Sequence, residues 1–125
     1  MDFDTLSSRV LGAAIEVHRA LGAGYQESGY ANALSVALAA RGIPHSREHE
    51  VDLYFRGVHI GKHRLDLLVD DTIVVELKAV EKVLELHKAQ TRAYLKSTNK
   101  AVGLLLNFEA PVLEIKRLVH TQTTK

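Results

Sequence analysis

Asp66, Glu76 and Lys78 are the residues whose types and spacing could do chemistry together. Asp66 lies in an alternating segment over about 58–69, and Glu76 and Lys78 lie in the next, about 73–79. Asp70-Asp71-Thr72 reads as the turn between them. Strand alternation sets Asp66 and Leu68 on one face, with Leu65, Leu67 and Val69 on the other. Val74, Glu76 and Lys78 share a face opposite to Val75 and Leu77. If Val69 pairs with Ile73, Asp66 falls opposite Glu76, with Cβ atoms ~4.5–5.5 Å apart. Carboxylates that close repel, and one is driven to protonate. A hard divalent cation removes the conflict. Mg2+ takes one or two carboxylates and fills its shell with carbonyl oxygen and water, and Asp66, Glu76 and the backbone carbonyl of Leu77 make such a set. Lys78 could then orient a water or offset charge building on a phosphate. The competing reading is an ordinary cross-strand salt bridge on a wet sheet face.

The supporting residues have two readings each. Glu27 opens a helix, where an acid favours the first turn, and Tyr30 follows at i+3 on the same face. His87, Gln90 and Tyr94 form one helix stripe. Gln90 could hold a carboxylate or a water and Tyr94 could touch a phosphate or base; without partners the stripe is a plain helix surface. Lys88, Arg92, Lys96 and Lys100 make a basic stripe that suggests nucleic acid. However, residues 90 and 92 lie about 200° apart at ~3.6 residues per turn, so the stripe points away from Gln90 and Tyr94 and reads as a solvated face. Lys62-His63-Arg64, just before Asp66, is the preferred phosphate-contact patch. None of the seven histidines has zinc spacing, and the chain has no cysteine, which removes thiolate metal sites, cysteine nucleophiles and disulfides.

Elements that could position these groups follow from periodicity. Helical spacing covers 5–21 and about 26–40, with glycines at 22, 24 and 42 as stops. Three strands follow from residue 51 onward, then a helix over about 81–97. Ala101–Phe108 is nearly all apolar and reads as a buried central strand, and 113–119 as a final edge strand. The order is ααβββαββ, an α/β pattern. At 125 residues, the chain is expected to form one domain over 1–125, with its core at 5–119 and a disordered tail at 121–125. A charged fraction of 25% beside 46% hydrophobic residues fits a globular protein. With a net charge of +1, any nucleic-acid binding must come from a local patch. The acidic start and short apolar runs predict no signal peptide and no membrane span, hence a cytoplasmic address.

Taken in order, the motifs resemble a known family. Asp66 followed by Glu76-x-Lys78 is similar to the PD-(D/E)xK nuclease superfamily. Gln90-x-x-x-Tyr94 resembles the Q-x-x-x-Y element of its RecB-like branch. Gly24-Tyr25-Gln26-Glu27-Ser28-Gly29-Tyr30 matches the G-x-x-E-x-x-Y signature of the GxxExxY family. Val75–Lys82 and Gly103–Phe108 also fit it, so the likeness covers about residues 5–119. Leu65 stands where the motif name has proline. The resemblance implies a restriction-endonuclease-like core: a mixed central β-sheet flanked by helices. It implies a catalytic group of Asp66, Glu76 and Lys78 with Glu27 added, Gln90 and Tyr94 in support, and Mg2+ or Mn2+ on Asp66, Glu76 and the Leu77 carbonyl, with Glu27 as a further ligand. The expected function is Mg2+-dependent hydrolysis of phosphodiester bonds in nucleic acid, DNA foremost, through a metal-activated water, by a homodimer. The alternative is a nuclease fold kept as a nucleic-acid or protein binding module without activity.

Overall fold

The computed structural model describes residues 2–124; Met1 and Lys125, the ends of the expected domain and tail, lie outside the described residues. Helix α1 spans Phe3–Leu21 and starts where Asp2 accepts a hydrogen bond from the Thr5 amide at 2.7 Å. It stops at Gly22, whose φ of 67° suits a residue without Cβ. Helix α2 spans Glu27–Ala40. Strands β1 (His45–Phe55), β2 (Val58–Val69) and β3 (Ile73–Lys78) then run as an antiparallel meander. Helix α3 (Glu85–Thr98) crosses over to β4 (Val102–Asn107), which lies parallel to β3, and β5 (Glu114–Val119) closes the far edge antiparallel to β4. The sheet order is β1-β2-β3-β4-β5, mixed and flanked by helices, in the expected order ααβββαββ.

The apolar pattern decides which helix covers which face. Leu6, Val10, Ala14 and Val17 of α1 and Tyr30, Leu34 and Leu38 of α2 pack in one cluster with Leu67, Val69, Val75, Leu77 and Leu104. On the other face a smaller cluster joins Leu95 of α3 to Leu65, Leu68, Val74 and Leu118. Strand β4 is buried along all six residues, Asn107 included, as its nearly continuous apolar run predicted. Gly103 lets α3 approach closely, since a Cβ there would stand 3.2 Å from both Thr91 and Leu95. Among the described residues no helix is long and apolar enough to cross a membrane.

Besides the earlier start of β1, at His45 and not 51, the structure departs from the sequence expectation at two places. Helix α3 begins at Glu85, not near 81, because residues 79–84 form a loop held by side chains. There the His87 ring accepts a hydrogen bond from the Leu84 amide at 2.9 Å and caps the helix. The second departure is in β2. Leu65 packs with Leu68 on the α3 face, so simple alternation slips by one residue between them, whereas Leu67 and Val69 stay on the α1/α2 face. The slip is centred at Asp66. Strand β1 matches it: Glu48, whose place in the register faces Asp66, has a φ of 49°. Since both strands turn over together, the pairing on either side keeps its count, from Arg47↔Leu67 to His49↔Leu65.

Candidate metal and phosphate site

Strands β2 and β3 come apart at Asp66. Their ladder runs Val69↔Ile73, Leu68↔Val74 and Leu67↔Val75, and the next position in register sets Asp66 against Glu76. Here side chains replace ladder bonds. The Leu77 amide donates to Asp66 Oδ2 at 2.8 Å, and the Asp66 amide donates to Glu76 Oε1 at 3.3 Å. Each carboxylate is thus held by backbone of the other strand. The N–H and C=O of one strand residue point to the same edge, so the Leu77 carbonyl faces this fork as well. The register read from the sequence sets the two acids against each other, but the expected shared face does not hold: Glu76 alternates with Val74 toward α3, while the slip turns Asp66 over so that it opens onto a cavity on the α2 side. That cavity, of about 210 Å³, is lined by Asp66, Leu77, Glu27, Arg47, Glu48 and Arg64 among others.

Glu76 is only 6% exposed. Burial, then the nearby Asp66 charge, pushes its carboxyl up to about 10, and the charge of half-buried Lys78 pulls weakly the other way. In the absence of a cation Glu76 therefore keeps its proton at neutral pH. The donor set fits a hard divalent ion: two opposed carboxylates, one a buried acid that must lose a proton to ionise, beside a carbonyl and a water-sized space. Among the described residues no three His, Asp or Glu side chains close on a single point.

The other candidate residues fall into two groups. Glu27 sits at the first turn of α2, lines the Asp66 cavity, and accepts a hydrogen bond from the Ala79 amide at 3.4 Å, just past Lys78. Tyr94 feels both acids: burial, then Glu76 and Asp66, raise its hydroxyl pKa. Its ring meets His63 at 4.4 Å, edge to face. Gln90 is exposed, and its side chain makes no hydrogen bond among the described residues. The basic patch before Asp66 divides. Lys62 pairs with Glu50 at 3.4 Å, His63 turns to Tyr94 and is lowered by burial, hence neutral, and Arg64 reaches the cavity. In the helical stripe, Lys88 pairs with Glu85 at 3.1 Å and Lys100 with Asp71 at 3.4 Å, while Arg92 and Lys96 are exposed.

Two residues that support the site had no reading from the sequence. Arg47, from β1, enters the cavity with its guanidinium anchored on Asn32 at 2.6 Å. Asn107, fully buried at the end of β4, donates to Val80 O at 2.8 Å and Glu114 Oε1 at 3.0 Å and accepts from Val80 N at 3.1 Å and Glu109 N at 3.2 Å. This grip fixes the chain two residues after Lys78. An asparagine ending an apolar strand was the available signal. Asn107→Ala leaves these groups unpaired and is expected to lower stability by about 3 kcal/mol in chemical denaturation. Tyr30 turns its ring into the core: it is buried, stacks on Phe108 at 4.6 Å, and donates its hydroxyl proton to the Gly22 carbonyl. It ties the loop before α2 to the core and so sets where Glu27 begins.

Fold and site together define a class: an α/β domain with an Asp and a Glu-x-Lys at a fork in a mixed sheet. A family model described as the PD-(D/E)XK nuclease superfamily matches residues 4–118, nearly the whole chain. The chain belongs to that superfamily. Its members generally use divalent metals such as Mg2+. No curated protein and no solved structure matched the chain.

Proposed function

We propose that this chain is a cytoplasmic Mg2+-dependent nuclease of the GxxExxY group, with RecB-like features, that hydrolyses phosphodiester bonds of DNA. The observation that carries the reading is the fork itself, where Asp66 and Glu76 trade backbone hydrogen bonds and Lys78 follows on the same strand. Asp66, Glu76 and the Leu77 carbonyl would hold Mg2+ or Mn2+, which supplies a more acidic water and a counter-charge for the phosphate. Asp66 and Glu76 fix that charge at one point because each is held by the neighbouring strand. Lys78 sets its ammonium where negative charge builds on the phosphate, in a site shielded enough for the charge to count. Glu27 bounds the cavity opposite Asp66 and would orient a water, and Arg64 and Arg47 would steady the strand being cut. Tyr94 lies within reach of the acids' field and would contact the nucleic acid or the ion's water shell. Gln90, exposed one turn before Tyr94, would engage once the cavity is filled.

Incubation of the purified chain with single-stranded DNA, duplex DNA and RNA, in Mg2+, Mn2+ or EDTA, tests this reading. Cleavage with either metal and none in EDTA is the expected result. Binding without cleavage under every condition would instead make the chain a nuclease-fold binding module. Lys78→Ala is expected to lower the cleavage rate by about 10²–10³-fold while leaving Mg2+ affinity within a few-fold, as read by calorimetry beside initial rates.

A further inference from the structure

The β1–β2 hairpin is longer than the sheet needs. Strand β3 ends at Lys78, level with the stretch of β2 just before Asp66, while β2 itself starts at Val58 and β1 runs out to Phe55. The projecting tip turns on Arg56-Gly57, both with positive φ (50° and 78°), the two-residue turn that suits a twisted ribbon. A register shift at Leu53/Tyr54 leaves Ile60 unpaired, and such bulges sharpen twist and re-aim a strand. At this tip Tyr54, Phe55, Val58 and Ile60 are 64%, 61%, 64% and 62% exposed. Phe55 and Val58 face one another across the turn. Exposed apolar groups collected at one end of a small protein call for a partner.

The charge of the tip says which. Arg56 at the turn enters no salt bridge among the described residues, whereas His59 pairs with Asp52 at 3.0 Å and Lys62 with Glu50 at 3.4 Å from the facing strand. The Arg56 guanidinium lies over the Phe55 ring, 5.4 Å from its centre. Twofold contact with a second copy through the same tip would set like charges against like. A polyanion carrying flat apolar faces meets both features at once: phosphates for the cations, bases for the rings and branched side chains. The ribbon is also continuous with the site, since β2 runs from Val58 straight to Arg64 and Asp66 at the cavity. At ~3.3 Å per residue those eight steps span about 26 Å, roughly eight nucleotides of a stacked strand.

We propose that the β1–β2 tip is a nucleic-acid arm: Phe55, Val58 and Ile60 press on base faces and Arg56 on backbone phosphate, holding the substrate about eight nucleotides from the cut. This rests on the nuclease reading and adds a second contact to it. An unpaired strand or an unstacked duplex step presents the same base faces, so both belong in the test.

Fluorescence anisotropy of the wild-type chain in EDTA, with labelled 30-nucleotide single strand, 30-base-pair duplex and RNA of the same length, measures affinity without cleavage. Phe55→Ser/Val58→Ser alters only exposed positions and is expected to fold normally by circular dichroism. It should lose about tenfold in affinity for at least one probe, with an unchanged salt slope. Arg56→Gln should lower the salt slope by about one. A six-nucleotide probe, too short to reach both places, should bind wild type and double variant alike. Unchanged affinity of both variants for every long probe bound by wild type would overturn the arm and leave the nuclease reading intact. Wild type that binds none of the probes and cleaves none with metal would remove the nuclease reading, and the arm with it. Sedimentation in which wild type is a dimer and the double variant a monomer of equal affinity would reassign the tip to self-association.

Discussion

Asp66→Asn is expected to keep the fold and to lower phosphodiester cleavage by at least a hundredfold. The substitution is unusually clean at this position. Asp66 Oδ2 accepts the Leu77 amide at 2.8 Å, and an asparagine carbonyl oxygen accepts the same bond. The amide nitrogen can donate towards Glu76, whose Oε1 already meets the Asp66 backbone. So the link between strands survives while the negative charge does not. Mg2+ affinity should fall at least tenfold, since one of two carboxylates no longer ionises. Chemical denaturation, calorimetry with Mg2+ and cleavage assays on the same preparation separate the effects. Equal Mg2+ affinity in variant and wild type would remove Asp66 from the cation site. Loss of folding would mean that its charge, and not only its hydrogen bond, supports the fork.

Glu76→Gln is expected to stabilise the metal-free protein above neutral pH while abolishing cleavage. In the folded chain the Glu76 carboxyl is pushed up to about 10 by burial and by Asp66, from an ordinary value of 4.5. The folded state therefore holds a proton that the unfolded state has lost across that window. Stability is highest in this respect below 4.5 and falls as pH rises towards 10, where the folded group finally ionises. At ~1.4 kcal/mol per pH unit, the cost at pH 7 is on the order of 3 kcal/mol. Glutamine resembles the protonated acid and does not titrate, so the variant should lack this slope. Denaturation of both proteins in EDTA from pH 5 to pH 9 reads the difference directly, and parallel curves would refute it. Mg2+ should reverse the order, because a cation between the acids favours the ionised Glu76. Its uptake by wild type near pH 7 should release about one proton, visible as a buffer-dependent heat, and by Glu76→Gln none.

The hairpin tip and the Asn107 grip extend these expectations outward. Asp66 and Glu76 form the proposed site, Asn107 holds the loop that follows Lys78, and Phe55 with Arg56 offers the proposed contact furthest from it. The four places differ in what a substitution should change: ion affinity, pH dependence, stability and substrate binding. Their separation is what makes each reading testable by itself.

Much of this protein is decided by local pattern. Period-3.6 and period-2 stretches set the order ααβββαββ, the apolar run of β4 marked the central strand, and turn residues at Asp70–Thr72 set the register that brings Asp66 to Glu76. These follow from forces acting between residues close in sequence or directly across one turn. Other features needed contacts between distant segments. The slip at Asp66 coincides with a left-handed backbone at Glu48 of the neighbouring strand, and with it Asp66 lines the cavity that Glu27 also lines. The late start of α3 depends on Asn107, some twenty-seven positions from Val80, capturing that residue's backbone. The exposure of Phe55, Val58 and Ile60 depends on where the rest of the sheet ends, and no alternation within the hairpin encodes that. Sequence alone determined which acids could meet; the tertiary structure decided which way they face, because the direction of a side chain at a broken ladder is set by the strand beside it.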